Sequence, residues 1–496
     1  MDTTAEALPR FRLFFPGDPA TSPSVTTPTE KLRPLTRLAY GSGEFGPAMA
    51  GSALLFFQMI FLTNVAGLRA DLAGSVLLIG KLWVAINDPL IGWLSDRTRT
   101  RWGRRLPWMV VSALPLSVFF WMLWLVPGFI DANNQWALFA YFTVVSVLFD
   151  TFFTGFILPH NTLTSEFTQD YDERSRISGF RMAFAIGGTV GGLLIGMAIF
   201  GLLAKASAAA QFQAIALTIA SISTAVSILC IAGIWRTAVQ IPVLEPATPA
   251  APLSPAARIA TGLRIIFSNR PYVIVVAIYL FSWLAMQLTA SFLSYYVVNY
   301  MRLPFAKFAL LVLVVQCTAL VLLLPAGWLS VRWGKKPVYF IGMIVWLFPQ
   351  LALIFVPADQ FHLVLALAAL AGFGTCVCYL IPNAMLPDTI EYDELQTGER
   401  RGGIFYGFFV FVQKAGLAVT TYIVGWALQL SGFVSSKGVD VVQPDSALLT
   451  IRVCVGILPA IAILVGLWFA WLYPITKAKH AEILRQLAAR GAGTSA

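Results

Sequence analysis

The sequence predicts an all-α polytopic membrane protein, with twelve transmembrane helices in two pseudo-symmetric six-helix halves. Three observations predict it. The 496 residues are 58% hydrophobic and only 12% charged, with a mean hydropathy of +0.76, whereas soluble domains are about 25% charged. Apolar stretches able to cross a ~30 Å hydrocarbon core as helices recur along the chain. Two motifs of the first half return about half a chain later.

Twelve spans follow in order: residues 37–65, 72–95, 106–127, 135–160, 177–204, 211–236, 271–300, 306–330, 337–357, 361–386, 402–430 and 447–473. Five domain-level segments result. They are a tail over 1–36, a bundle over 37–236, a linker over 237–270, a second bundle over 271–473 and a tail over 474–496. The linker contains IPVLEPATPAAPLSPAAR (241–258), which is rich in proline and alanine and has no spanning capacity.

The net charge of +10 is explained by topology rather than by nucleic acid. Arg97, Arg99, Arg101, Arg104 and Arg105 follow the second span, and Arg332, Lys335 and Lys336 follow the eighth. Short basic loops face the cytoplasm, which places both termini there. The start of the chain has no basic n-region and no long apolar core, so no signal peptide is expected and an inner (cell) membrane is. The five cysteines all fall in apolar spans and read as small buried hydrophobes.

GWLSDRTRTRWGRRLP (92–107) has a second copy, GWLSVRWGKKP (327–337), and DYDER (170–174) pairs with EYDEL (391–395). The second span therefore corresponds to the eighth, and the fourth to the tenth. Parallel halves joined by a linker are the build of major-facilitator carriers, whose substrate sits between the halves near the midplane.

Ionisable residues within spans are the functional candidates, because a charge at the bilayer centre is costly. They are Glu44, Lys81, Asp88, Asp150, Arg181, Lys414 and Arg452. In KLWVAINDP, Lys81 and Asp88 are two helical turns apart on one face. Asp88 offers a carboxylate for sodium or a proton, or else a structural bridge to Lys81 or to Lys414. Asp150 reads as a substrate or proton group, or as a packing acceptor. Glu44 lies in YGSGEFGP, where glycines and proline loosen the first span, and reads as a site residue or an interfacial acid. Lys414 needs a carboxylate or an anionic substrate. Asn161 and Gln413 offer amides to hydroxyls. In the loops, Arg101, Arg104, Arg105, Asp172, Glu173, Asp388 and Asp393 are candidates for a charged network that latches one state and breaks in the other. The histidines form no metal cluster, and H-E-x-x-H, G-x-S-x-G and P-loop motifs are absent, so neither an enzyme nor an ATP-driven pump is expected.

KLWVAINDPLIGWLSDRTRTRWGRRLPW, YGSGEFG, LPHNTLTSEFTQDYDERSRISGFR and LPDTIEYDELQTGERRGGIFYGFFVFVQK resemble the glycoside–pentoside–hexuronide:cation symporters, the melibiose permease family. Eukaryotic lysolipid carriers look similar in the same places. The resemblance implies a cation-coupled carrier with Asp88 and Lys414 at the cation site and Arg181 near the sugar. It also marks departures. Val84 stands where the family has a first cation-site aspartate, Ala48 and Ile157 stand at two sugar-binding aspartates, and Asn161 replaces a sugar-backing tryptophan. Glu44 and Asp150 lie one and two turns from the lost aspartates.

The expectation is alternating-access symport of a sugar or glycoside, with Lys81 as the tether or charge-balancing neighbour of Asp88 and the aspartate passing between lysine and cation. The alternative on the same fold is a lysophospholipid or other amphiphile. No cofactor is expected beyond a coupling Na+ or H+. The expected partners are a small solute and the bilayer, with no nucleic acid and a monomeric carrier.

Overall fold

The computed structural model describes residues 32–493 except 129, 132–133, 168–170, 240–254, 399–400 and 436–440. The described residues are nearly all helical. The first span is two helices, α1 (Pro34–Ser42) and α2 (Phe45–Asn64), broken at Gly43 and Glu44. The rest of the first half is α3 (Ala70–Arg97), α4 (Leu106–Met122), α5 (Gln135–Phe167), α6 (Tyr171–Leu202) and α7 (Ala208–Val239). A linker helix, α8 (Pro255–Ser268), leads to α9 (Arg270–Tyr295), which ends in a π-helical turn over Tyr296–Tyr300. The second half continues with α10 (Phe305–Trp333), α11 (Lys335–Ala352), α12 (Phe361–Thr397), α13 (Gly402–Leu430) and α14 (Asp445–Leu472). The chain closes on α15 (Lys477–Gly493).

Among the described residues, ten spans are long and apolar enough to cross a membrane by themselves. α4 and α11 are shorter, at 17 and 18 residues. They hold the same place in each half, third of six, and complete the two-half pattern. Proline sits inside α3, α4, α5, α10, α11, α12 and α14. Spanning helices tolerate it because neighbouring groups re-satisfy the freed backbone carbonyls.

The loops carrying the basic residues share one end of the bundle with the start of α1 and with α15. At the other end the halves are fastened together. Thr63 and Tyr295 share a hydroxyl hydrogen bond of 2.8 Å, and the Asn64 amide donates to Asn299 at 3.1 Å. Phe57 meets Phe308 edge-on, and Phe200 stacks on Phe305. There α3 crosses α13 at Gly74 and Gly425, where a Cβ on Gly425 would lie 2.5 Å from the Ala70 carbonyl oxygen. Small residues let backbones approach this closely, and packing substitutes for the hydrophobic drive that lipid does not supply.

Candidate functional site

α3 and α5 lie side by side, and their facing residues build the first part of the site. Gly80 lets α5 come so near that a Cβ there would sit 3.0 Å from Asp150 Oδ2. Lys81 Nζ lies 3.4 Å from Asp150 Oδ1, and the Asn87 amide donates to the Asp150 carbonyl at 3.4 Å. Trp83 donates its indole N–H to Thr151 at 2.8 Å. One turn beyond Asp150 on α5, Thr154 donates its hydroxyl to Asp88 Oδ1 at 2.8 Å. The other carboxylate oxygen of Asp88 pairs with the Lys414 ammonium of α13. This ion pair joins the two halves at spanning depth.

The expected tether of Asp88 by Lys81 is corrected by this geometry. Residues seven apart on a helix are separated by about 10.5 Å of rise. Each therefore finds a nearer partner on a neighbouring helix: Lys81 takes Asp150, and Asp88 takes Lys414. Asp150 consequently belongs with the Lys81–Asp88 group and not with the polar cluster described next. Gln413 is half-buried beside Lys414.

The second part gathers at the break between α1 and α2. Arg181 of α6 donates to Glu44 Oε1 at 2.6 and 3.0 Å, to Thr164 at 3.0 Å, and to the Asn161 side-chain oxygen. Beneath it His160 is fully buried, with Nδ1 3.6 Å from Glu44 and Nε2 2.9 Å from the Tyr40 carbonyl. Tyr40 stacks on that ring at 4.3 Å and shares a 2.8 Å hydrogen bond with Thr164. Glu44, Asn161 and Arg181, expected as substrate residues, are thus brought together in one place. Thr154, Thr164, Tyr40 and His160 were not singled out from sequence as members of either cluster. Hydroxyls and a histidine inside apolar helices carry no sequence signal that separates packing from site.

The loop residues form networks within each half. Arg105 is buried and donates to Ser95 at 2.7 Å, to Glu166 at 3.0 Å and to Asp96. Arg104 joins Glu166 at 3.0 Å. Arg101 is exposed and lies over Trp102. In the second half Lys335 binds both oxygens of Asp388 at 2.6 and 2.7 Å, and Arg401 binds Asp393 at 2.9 Å. Asp172 and Glu173 fall on α6, but their side chains lie outside the described residues. The remaining intramembrane cation, Arg452, donates to the Ile354 carbonyl at 2.8 Å and lies over the Tyr300 ring, at the fastened end.

Two six-helix halves joined at one end, with charged side chains facing each other at spanning depth, define a secondary carrier of the major facilitator class. Comparison with known proteins agrees. The chain belongs to the MFS/sugar transport protein family, whose model matches residues 39–477. It is 40% identical to an uncharacterized symporter of Synechocystis sp., over 93% of this chain and 98% of that protein. It is 29% identical to the sodium-dependent lysophosphatidylcholine symporter 1-A of Danio rerio, over 92% of this chain and 89% of the relative. Its fold matches the inward-facing, unoccupied structure of a bacterial homologue of the lysosomal transporter Spinster, with a TM-score of 0.65 at 13% identity. That match covers 92% of this chain and 99% of the other. It is a multi-pass membrane symporter family.

Proposed function

We propose that this protein is an alternating-access symporter that moves a small hydroxylated solute, a sugar or glycoside, together with a monovalent cation. The observation that carries the proposal is the Asp88–Lys414 ion pair between the halves. An ammonium and a cation compete for one carboxylate. When the halves rock, α13 withdraws Lys414, and Asp88 then needs a sodium ion or proton in its place. Coupling follows from that exchange. No bond of the solute is made or broken, and no cofactor is required.

Arg181, Glu44 and Asn161 form the polar wall that meets solute hydroxyls, and Gln413 offers an amide from the second half. The basic loops lie in the cytoplasm by the positive-inside rule, with both termini, in an inner membrane. The halves are fastened at the opposite end, and the loop pairs close within each half. That combination supports a state open to the cytoplasm. The carrier works as a monomer, since each half already finds its partner in the same chain.

Uptake into proteoliposomes under imposed sodium or proton gradients tests this, with a panel of glycosides and lysolipids. Asp88→Asn is expected to lose gradient-driven uptake while inserting normally. Undiminished uptake by that variant would sink the coupling mechanism. One observation favours a second reading, an amphiphile such as a lysophospholipid. Met182 and Ile186 of α6 and Val321, Leu324, Trp328 and Val331 of α10 are exposed apolar residues toward the basic-loop end. Ala48 and Ile157 also make the interior less polar. Lysolipid flux without glycoside flux would select that reading.

A further inference from the structure

We propose that His160 is a proton-binding site, and that the proton it takes releases Arg181 from Glu44 to meet the solute. This inference rests on the reading of Arg181 as a solute-facing residue and adds a proton to that wall.

The ring of His160 is held in one orientation. It is fully buried, and Tyr40 and Phe156 both stack on it, at 4.3 and 6.1 Å between centroids. Gly43, at the break between α1 and α2, lies so close that a Cβ there would be 2.6 Å from Nε2. Nε2 sits 2.9 Å from the Tyr40 carbonyl oxygen, which can only accept, so Nε2 carries a proton in either charge state. Nδ1 is the open position. It is buried without a hydrogen-bond partner, 3.6 Å from Glu44 Oε1. Bare, it turns a lone pair toward a carboxylate. Protonated, it becomes a donor aimed at the same oxygen. Buried polar atoms are rarely left unpaired, so an orphan nitrogen beside a carboxylate marks a place for a proton.

The remaining groups around the ring do not fill that place. From α1, the Tyr40 hydroxyl donates to the His160 carbonyl and shares a hydrogen bond with Thr164. From α7, the Cys230 thiol donates to the Tyr40 carbonyl at 3.8 Å. The charged neighbours are Glu44 and, from α6, Arg181.

Oε1 of Glu44 is the contested atom. Arg181 donates to it twice, at 2.6 and 3.0 Å, and His160 faces it as well. With neutral imidazole, Glu44 and Arg181 balance. A proton on Nδ1 leaves two cations for one carboxylate. The imidazolium is sealed inside the bundle, whereas the Arg181 side chain is 20% exposed and that of Glu44 15%. The guanidinium is therefore the cation free to turn. An electron-rich solute oxygen on Arg181 offsets the excess charge. Glu44, exposed on one side and facing Nδ1 on the other, is the way in for the proton. Solute and proton then favour each other's binding, and the linkage is reciprocal.

The test is 15N-histidine NMR of purified full-length protein in detergent, titrated between about pH 5 and pH 9, the range around the ordinary histidine transition. It reads which ring nitrogens carry protons. The chain has three histidines. His160→Gln assigns the signal, and His362 and His480 report on folding in the same spectra. Wild-type His160 is expected to pass from the Nε2-protonated imidazole to the imidazolium within that range. Glu44→Gln is expected to lower the midpoint by about one pH unit or more, a tenfold loss of proton affinity. Arg181→Gln is expected to raise it, because Glu44 is then left to His160 alone. Arg181→Lys keeps the charge without the two-pronged contact; it replaces Arg181→Gln if that variant does not fold, and is expected to raise the midpoint by less. A ring that stays neutral throughout would overturn the proposal. So would a midpoint that fails to rise when Arg181 is changed in a folded protein. Both results would leave the Asp88–Lys414 exchange standing. Undiminished solute uptake by a folded Arg181→Gln would instead remove the reading of Arg181 beneath the proposal.

Discussion

The two copies of the basic-loop motif, 92–107 and 327–337, share a left-handed glycine and a tryptophan–arginine contact and differ in their anchors. In both, the glycine before the basic pair adopts a left-handed conformation, Gly103 at φ +85° and Gly334 at φ +96°. A side chain there would be strained, and glycine is not. In both, a tryptophan carries an arginine four residues on, Arg97 over Trp93 and Arg332 over Trp328. The anchors then diverge. Arg105 is buried among Ser95, Asp96 and Glu166. Where the first copy has Asp96 the second has Val331, and its lysines turn elsewhere. Lys335 reaches Asp388, and Lys336 caps the Trp471 and Tyr473 carbonyls at 2.7 and 3.1 Å. His480 of α15 completes that side, 2.6 Å from Glu391 and 3.4 Å from Asp388. Duplication kept the frame, and the charges were reassigned within it.

The same asymmetry runs into the membrane. Glu44, Lys81, Asp88, Asp150 and Arg181 all belong to the first half, and Lys414 comes from the second. The candidate binding residues thus concentrate in the first half, while Lys414 of the second supplies a counter-charge to Asp88. The largest expected effect breaks this comparison directly. Lys414→Ala should lower gradient-driven uptake by about tenfold or more, since an uncompensated carboxylate is left at spanning depth. Arg452→Gln removes the other intramembrane cation candidate of the second half and should keep most of the uptake, because Arg452 caps a carbonyl and lies over the Tyr300 ring at the fastened end, away from Asp88. Equal losses in the two variants would show that any charge lost from the second half disables the carrier, and the comparison would fail.

A middle effect separates the two anchors. Arg105→Ala leaves Glu166, which is 9% exposed, without its buried guanidinium. Breaking such a pair costs about 3–5 kcal/mol, lowered here because Arg104 still reaches Glu166. Lys336 is half-buried, and the carbonyls it caps can turn to water, so Lys336→Ala should cost about 1 kcal/mol or less. Thermal unfolding in detergent reads both. A larger loss at Lys336 would mean that the second copy is the structural one.

Much of this was legible in the sequence, for identifiable reasons. Apolar span length and the twice-written motif gave the helices and halves, because bilayer thickness and duplication both leave marks along the chain. Lys414 was readable as a lysine in need of a carboxylate, and Asp88 was among its named candidates. The pairing of Lys81 with Asp150 was not readable. It depends on the rotation of α3 against α5, which Gly80 sets and which no single-helix pattern encodes. Thr154 stayed hidden for the same reason: a threonine in an apolar helix more often bonds its own backbone. Glu166 was visible only as one acid in a mixed-charge loop, and its role depends on α5 delivering it beneath Arg104 and Arg105.

The smallest expected effect sharpens what the two copies still share. The Arg97 guanidinium carbon lies 4.0 Å from the Trp93 ring centroid, and that of Arg332 lies 5.3 Å from Trp328. An exposed cation–π contact is worth about 0.5–1 kcal/mol and weakens with distance. Arg97→Gln should therefore lower stability measurably and Arg332→Gln by less, both below the cost of Arg105→Ala. Replacing Trp93 by Leu in the Arg97→Gln background should add little, because the contact is already gone. A full additional loss from Trp93→Leu would assign that tryptophan to lipid or helix packing instead. The shared arginine would then be a topology signal in both copies, held in place by the charge of its loop and not by the ring beneath it.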